Sequence, residues 1–312
     1  MINMKKQNLL GQNQNSQSFF AFIRSEADRH KMAENCRTAE TYLSALSNFK
    51  KFRRGRDLPI GEITASLMEQ YEAYLVRSNV MRNTSSFYMR ILRAVYNKAV
   101  ERELVCQSHP FRHVYTGVDK TVKRAITTDD IRRIKNLDLT ADRKLEFVRD
   151  MFMFSFYTRG MSFVDMAYLQ KSDLQGGILT YRRRKTNQLI NVRWEQCMQD
   201  IVNRHAISGE SPFLLPIIKH PRRPIRRQYR NALSYHNNKL KTIAMLAGLD
   251  VNLTMYVARH SWASAAYFKN IPVSVISAGM GHSSEHTTEI YLSSICNKEV
   301  DAANSLILSI LG

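Results

Sequence analysis

Cysteine is scarce and scattered: Cys36, Cys106, Cys197 and Cys296 are the four in 312 residues. None lies at short spacing from another, so neither a zinc site nor a disulfide framework is indicated. A reducing compartment, most simply a cytoplasm, is the expectation, with no metal. Long apolar runs are also missing. No stretch reaches the ~18 residues of a membrane span, which excludes an integral membrane protein. Residues 1–17 are polar, rich in Asn and Gln, and lack the apolar core of a signal peptide. They read as a disordered lead-in. A GxxxxGKS loop is absent, in keeping with chemistry that needs no ATP and no cofactor.

Acidic residues are the remaining shortage. Asp plus Glu number 27 against 46 Lys plus Arg, a formal net charge of +19. A field that positive concentrates polyanions and speeds encounter with them, which points to nucleic acid or an anionic surface. With 312 residues, 44% of them hydrophobic, the chain can bury two domain cores.

Residues 18–109 read as a compact four-helix domain. Phe19, Phe20, Phe22 and Ile23 begin the first helix. Thr38 is the expected N-cap of the second, with Tyr42, Leu43, Leu46 and Phe49 as its stripe. Thr64 opens the third. Asn83 or Thr84 opens the fourth, which carries Ile91, Leu92, Val95 and Tyr96 on one side and Arg90 and Arg93 on the other. Arg82, Arg90 and Arg93 suit phosphate oxygens, although a solvated helix face would look the same. The hydroxyls of the Asn83-Thr84-Ser85-Ser86 tract, at a helix N-terminus, could meet backbone phosphates.

From Pro110 the pattern breaks, and residues 110–123, with Lys120 and Lys123, read as a basic tether. A second domain is expected over residues 124–298, mixed α+β. Thr127 or Thr128 caps its first helix. The apolar run from Asp142 to Tyr157 is a core helix ending at Thr158-Arg159-Gly160-Met161. Arg159, at the end of a buried helix, needs a partner for its charge, either Asp165 in an ion pair or a bound phosphate. Gly176-Gly177 is a turn, and residues 178–184 and 188–193 form a hairpin around Lys185-Thr186-Asn187. Lys185 can reach out from that tip, unless it is only one member of a basic patch with Arg182, Arg183 and Arg184. A helix over residues 198–205 follows. Residues 204–230 read as loop, with a basic cluster of Arg222, Arg223, Arg226, Arg227 and Arg230 suited to phosphate contact, and a helix runs from Tyr235 to Leu246.

Residues 253–295 organise the rest. Thr254 caps a helix on which Tyr256, Arg259, His260 and Ala263 share one face. Asn270-Ile271-Pro272 ends it. A short apolar run then leads into Gly279-Met280-Gly281-His282, a turn where backbone comes close to something, and Tyr291 follows.

Arg259-His260-Ser261-Trp262-Ala263, then Gly281-His282-Ser283-Ser284, then Thr288 and Tyr291, resemble the catalytic end of the tyrosine recombinases of the phage-integrase type. The Tyr256 variant and Arg159-Gly160-Met161 are similar to recombinases of the Bacteroidetes group, DNA invertases and integrases. The resemblance implies a mainly α fold with a small β-sheet: a helical core-binding domain and a mixed α+β catalytic domain, forming a C-shaped clamp on DNA. It implies a site-specific recombinase that cuts and rejoins DNA through a 3′-phosphotyrosine intermediate, inverting, excising or integrating a segment. It implies Tyr291 as nucleophile, Arg159 and Arg259 on the nonbridging oxygens, Lys185 as general acid, and His282 with Tyr256 on the phosphate or the tyrosine proton. Arg82, Thr84, Arg90, Arg93, Lys123, Arg222, Arg223, Arg226 and Arg227 would touch DNA. The partners implied are double-stranded DNA with inverted half-sites and further copies of the chain, a dimer per site and a tetrameric synapse. Residues 299–312, amphipathic, would dock in trans as a helix.

Two features depart from the family pattern. Tyr256 stands where His is usual, and a phenol is a poor base near neutrality. Asp165 lies farther beyond Arg159 than the usual acidic residue. His260 is read as a bracing residue. A catalytically silent DNA-binding regulator and a type IB topoisomerase-like relaxer are the competing classes.

Overall fold

A computed structural model describes residues 17–119, 125–206, 211–292, 304–305 and 307–310. The chain forms two compact units, Met1–Thr121 and Val122–Gly312.

In the first unit, α1 (Phe19–Met32) and α2 (Cys36–Phe52) are followed by a 3₁₀ turn at Ile60–Glu62, then α3 (Ala65–Arg77) and α4 (Arg82–Glu101). Ser18 and Thr64 cap α1 and α3 by accepting from Ala21 and Leu67 amides. Phe19, Ile23, Leu46, Phe49, Tyr71, Leu92 and Tyr96 close one core. Within it Glu26 is buried and held by Lys98 at 3.2 Å and Arg102 at 2.6 Å. Two expected starts are corrected. Asn35, not Thr38, precedes α2, because the α1–α2 turn through Glu34 at φ 57° is too short to delay the helix. Met81 precedes α4, while the Asn83 amide bonds Asp119 in both directions. The stretch after α4 is irregular and packed, with Phe111 and Val114 buried against the helices.

In the second unit α5 (Thr128–Lys135) opens on a capping box between Thr127 and Asp130. Asp142 caps α6 (Arg143–Tyr157), whose Val148, Met151, Phe152 and Phe154 are wholly buried. After α7 (Phe163–Tyr168) comes an antiparallel sheet, β1 (Leu174–Gln175), β2 (Ile178–Arg182) and β3 (Leu189–Arg193), ordered β1-β2-β3. Leu179 faces Val192 and Tyr181 faces Ile190, the four inward side chains of the pleat. Four helices follow the sheet before residue 281: α8 (Gln196–Arg204), α9 (Ile225–Leu246), α10 (Met255–Phe268) and α11 (Val273–Met280). Then comes α12 (Glu285–Leu292).

The start of α9 is a further correction. The helix begins ten residues before Tyr235, at Ile225, so Arg226, Arg227 and Arg230 lie on helix, not loop. Pro224 sets its first turn, and Ile225, Tyr229 and Ala232 pack on the core ahead of buried His236, Leu240 and Ile243, a helical stripe.

Candidate active site

The site is built from the end of α6, the β2–β3 loop, α10, and the turn after α11. Its centre is Arg259 on α10, only 2% exposed. A buried guanidinium must place its donors, and Arg259 places three of its five. Nη1 donates to Gly160 O at 2.7 Å, and Nη2 to Met280 O at 2.6 Å and to His282 Nε2 at 3.1 Å. One Nη1 hydrogen remains uncommitted, and Nε is buried without a partner among the described residues.

Gly160 explains why the α6 end meets α10. Its φ is +73°, and a Cβ there would lie 2.7 Å from Arg259 Cα, so only glycine lets the two backbones approach this closely. Arg159, beside it, is at φ 60°. That left-handed residue costs energy, and the turn is held by Gly160 N donating to Ser155 O and by Ser155 Oγ donating to Met161 O, at 2.8 and 2.7 Å. The half-buried Arg159 side chain passes Gly279, where a Cβ would come 3.6 Å from its Cδ. Its guanidinium has no hydrogen bond or ion pair among the described residues. The ion pair considered for Asp165 is not made: that carboxylate accepts from Ser162 Oγ at 2.6 Å and from Arg184 N at 2.9 Å.

His282 follows Gly281, which ends α11 in the left-handed region at φ 63°. Burial, then the charges of Arg259, Arg183 and Lys185, lower its pKa to about 4. The ring is therefore neutral near pH 7. Arg259 can only donate, so Nε2 is the acceptor and Nδ1–H donates to Thr288 Oγ1 at 2.7 Å. Thr288 is fully buried on α12. Tyr291 follows it by one helical turn; its side chain lies outside the described atoms.

Lys185 is exposed on the β2–β3 loop, with no partner among the described residues. Its arginine neighbours differ in what they touch: Arg182 and Arg184 are exposed and Arg183 is buried. Arg182 bonds Asn187 O at 3.2 Å, Arg184 stacks on Tyr168 at 3.8 Å, and Arg183 is 6% exposed and donates to Gly281 O. Tyr256 is 51% exposed and meets the His260 ring edge-to-face at 4.7 Å. His260 itself is buried on α10.

Of the residues expected at DNA, Thr84, Arg90, Arg222, Arg223 and Arg227 are exposed and Arg226 is half-buried. Arg82 stacks on Tyr115 at 3.9 Å, and Arg93 donates to Thr116 Oγ1 at 3.0 Å. Lys123 lies outside the described residues. Ser85 and Ser86 are buried, and Ser86 donates to Gly117 O, so they do not face a phosphate. Sequence reasoning overlooked Arg183, Thr186 and Gln188, and it gave Thr288 no role. The two-residue period of Leu179 and Tyr181, carried one step further, would have turned Arg183 inward.

Among the described residues no cluster of His, Cys, Asp or Glu could hold a metal ion, and no helix is long and apolar enough to cross a membrane.

Comparison with known proteins now adds to the geometry. Residues 18–115 match the phage integrase SAM-like domain and residues 124–297 match the phage integrase family. No curated protein sequence gives a significant match. A lambda integrase dimer bound to a COC′ core site is 15% identical, with 92% of this chain and 80% of that one covered and a TM-score of 0.65. A lambda integrase tetramer bound to a Holliday junction is 15% identical over 91% and 80%, at 0.64. XerH recombinase, in a post-cleavage complex on a palindromic difH substrate, is 15% identical over 85% and 78%, at 0.64. At this identity the likeness is one of fold.

Proposed function

The chain belongs to the phage integrase family of tyrosine recombinases, and we propose that it is a site-specific DNA recombinase that inverts, excises or integrates a DNA segment through a 3′-phosphotyrosyl link on Tyr291. One observation carries this reading. Arg259 bonds both the carbonyl next to Arg159 and the neutral ring of His282, so three segments distant in sequence converge on one cationic centre.

Attack on a phosphodiester forms the bond from the Tyr291 phenol oxygen to phosphorus and breaks the bond to the 5′ oxygen. Arg159, whose guanidinium has no partner among the described residues, and Arg259 stabilise the charge on the nonbridging oxygens. When Arg259 turns toward the phosphate it releases His282 Nε2, which takes up the phenol proton. Lys185 gives a proton to the departing 5′ oxygen. Tyr256 adds a hydrogen bond to the phosphate. The phosphotyrosyl bond keeps the energy of the broken one, so a 5′ hydroxyl from another strand reverses the step without ATP or metal.

The substrate is double-stranded DNA with inverted half-sites, gripped by residues 18–109 and 124–298; residues 111–119 pack on the first unit and so are not a free tether. Arg82, Thr84, Arg90 and Arg93 serve the first grip, and Lys123, Arg222, Arg223, Arg226 and Arg227 the second. A dimer per site and a tetrameric synapse follow the lambda integrase complexes. The tail at 299–312 docks in trans, in keeping with exposed Ile307, Leu308 and Ile310. The cytoplasm is its place of action.

Covalent trapping tests the reading. Wild type and Tyr291→Phe are incubated, without metal, with nicked DNA carrying the native site. A denaturant-resistant protein–DNA band with wild type alone is the expected result. A band that survives the substitution moves the nucleophile elsewhere. Tight binding with no band from either protein makes the chain a silent regulator.

A further inference from the structure

The last carbonyls of a helix have no partner within it, and at the end of α11 the Met280 carbonyl and the two that follow it are taken by side chains from elsewhere. Met280 O accepts from Arg259 at 2.6 Å. Gly281 O accepts from buried Arg183 and, at 3.3 Å, from Thr186 Oγ1. His282 O accepts from Gln188 Nε2 at 3.0 Å. Arg183, Thr186 and Gln188 all belong to the β2–β3 loop, and they flank Lys185 on both sides. Packing repeats the message: a Cβ at Gly281 would lie 2.5 Å from Ile190 Cδ1 and 3.3 Å from Arg183 Cδ. The loop is thus seated on the end of α11 through two consecutive carbonyls and a glycine contact. A cation is favoured at a helix C-terminus, which suits Arg183 to this seat. Lys185 is the one member of the run 183–188 that is a cation, exposed and uncommitted among the described residues.

From this we infer that Arg183, with Thr186 and Gln188, is a positioning device: it holds the Lys185 loop on the Gly281–His282 turn, so that the proton donor to the 5′ oxygen and the imidazole move as one body. The inference rests on the proposed recombinase reading, in which Lys185 is the general acid. Arg183 is 6% exposed; its Nη1 donates to Gly281 O, its Nε is buried without a partner among the described residues, and burial lowers its pKa from the ordinary guanidinium value. In this inference it acts through Lys185 rather than on the phosphate. Losing the clamp leaves Lys185 chemically intact but no longer held within reach of the leaving oxygen, a kind of misplacement that can cost on the order of a hundredfold in rate.

A change of leaving group reads this out. A nicked site whose scissile 5′ oxygen is replaced by sulfur departs as a thiolate and needs no proton. Single-turnover cleavage of the oxygen and sulfur sites is measured for full-length wild type, Lys185→Ala, Arg183→Met and the double variant Thr186→Val/Gln188→Leu. Wild-type cleavage, with Lys185→Ala defective on oxygen and restored on sulfur, establishes the general acid on which the inference stands. Arg183→Met is then expected to cleave the oxygen site at least tenfold more slowly, to approach wild type on sulfur, and to bind DNA within about twofold of wild type. The double variant, altered at half-buried positions, is expected to show the same pattern more weakly, and it decides the matter should Arg183→Met not fold. An equal loss on both leaving groups, or no loss in either variant, overturns the positioning role while leaving the recombinase reading in place. Absence of wild-type cleavage on both sites overturns that reading itself.

Discussion

Arg259 donates to His282 Nε2 at 3.1 Å, and this one bond fixes the tautomer of the imidazole. Because guanidinium cannot accept, Nδ1 must carry the hydrogen, and it finds Thr288 Oγ1 at 2.7 Å. A residue on α12, one turn ahead of Tyr291, thereby orients a ring on the preceding turn. Thr288→Val keeps the buried shape and removes the acceptor. A hydrogen bond is worth about 1 kcal/mol, so single-turnover cleavage should fall roughly fivefold with DNA affinity unchanged. Nitrogen chemical shifts of His282 should keep the Nδ1–H signature in the variant, because Arg259 and not Thr288 sets the tautomer. An unaltered rate would separate Thr288 from the chemistry.

The approach of Gly160 to Arg259 makes a stability prediction. Alanine at 160 must hold a left-handed φ and place Cβ 2.7 Å from backbone. The first costs about 1 kcal/mol and the overlap about 1–3 more. Gly160→Ala should therefore lose roughly 2–4 kcal/mol in urea unfolding, and cleavage with it, since Gly160 O anchors Arg259. A wild-type midpoint would refute the close packing of the α6 end on α10.

Tyr256 occupies a half-exposed place on α10, with its ring against His260. If its hydroxyl only adds a hydrogen bond to the charged phosphate, worth about 1.5 kcal/mol, Tyr256→Phe should still form the covalent complex, about tenfold more slowly. Tyr291→Phe should form none. A Tyr256→Phe protein unable to form the complex would make Tyr256 the candidate nucleophile.

What the sequence disclosed, it disclosed through period and spacing. The apolar run ending at Arg159, the hairpin around Lys185 and the cap at Thr127 are local features, and each has a local cause. The start of α9 was hidden because Arg222 to Arg230 look like loop by charge, although Ile225, Tyr229 and Ala232 already keep helical spacing. Ser85 and Ser86 were read as outward because hydroxyls can face either way, and their burial follows from which face of α4 meets the core. Arg183 was read as surface for the same reason that any arginine is: its burial is set by the end of α11, roughly a hundred residues later, and no local pattern encodes that partner. The grouping of Arg259, His282 and the residues beside Gly160 was suggested by the resemblance of their motifs to a known family. Their hydrogen bonds were not, because they depend on tertiary approach at Gly160 and Gly281.

His236 gives the fold a pH dependence of definite sign. It is 2% exposed among the rings of Phe147, Phe163 and Tyr235, its Nδ1–H donates to Ala232 O at 2.7 Å, and Nε2 has no partner among the described residues. Burial lowers its pKa from 6.5 to about 4, against a smaller opposing effect of the Ala232 bond. Between those values the unfolded chain takes the proton and the folded chain does not. Stability is therefore full above pH 6.5 and is lost as pH falls toward 4, by up to about 3 kcal/mol at 1.36 kcal/mol per pH unit. His282, lowered to about 4 as well, acts in the same direction, so wild type alone cannot separate them. Comparison with His236→Phe does. If the burial is as described, the difference in urea midpoint between wild type and variant should shift in favour of the variant from pH 7 to pH 4.5. Parallel curves would mean that His236 is solvated or already protonated in the folded protein.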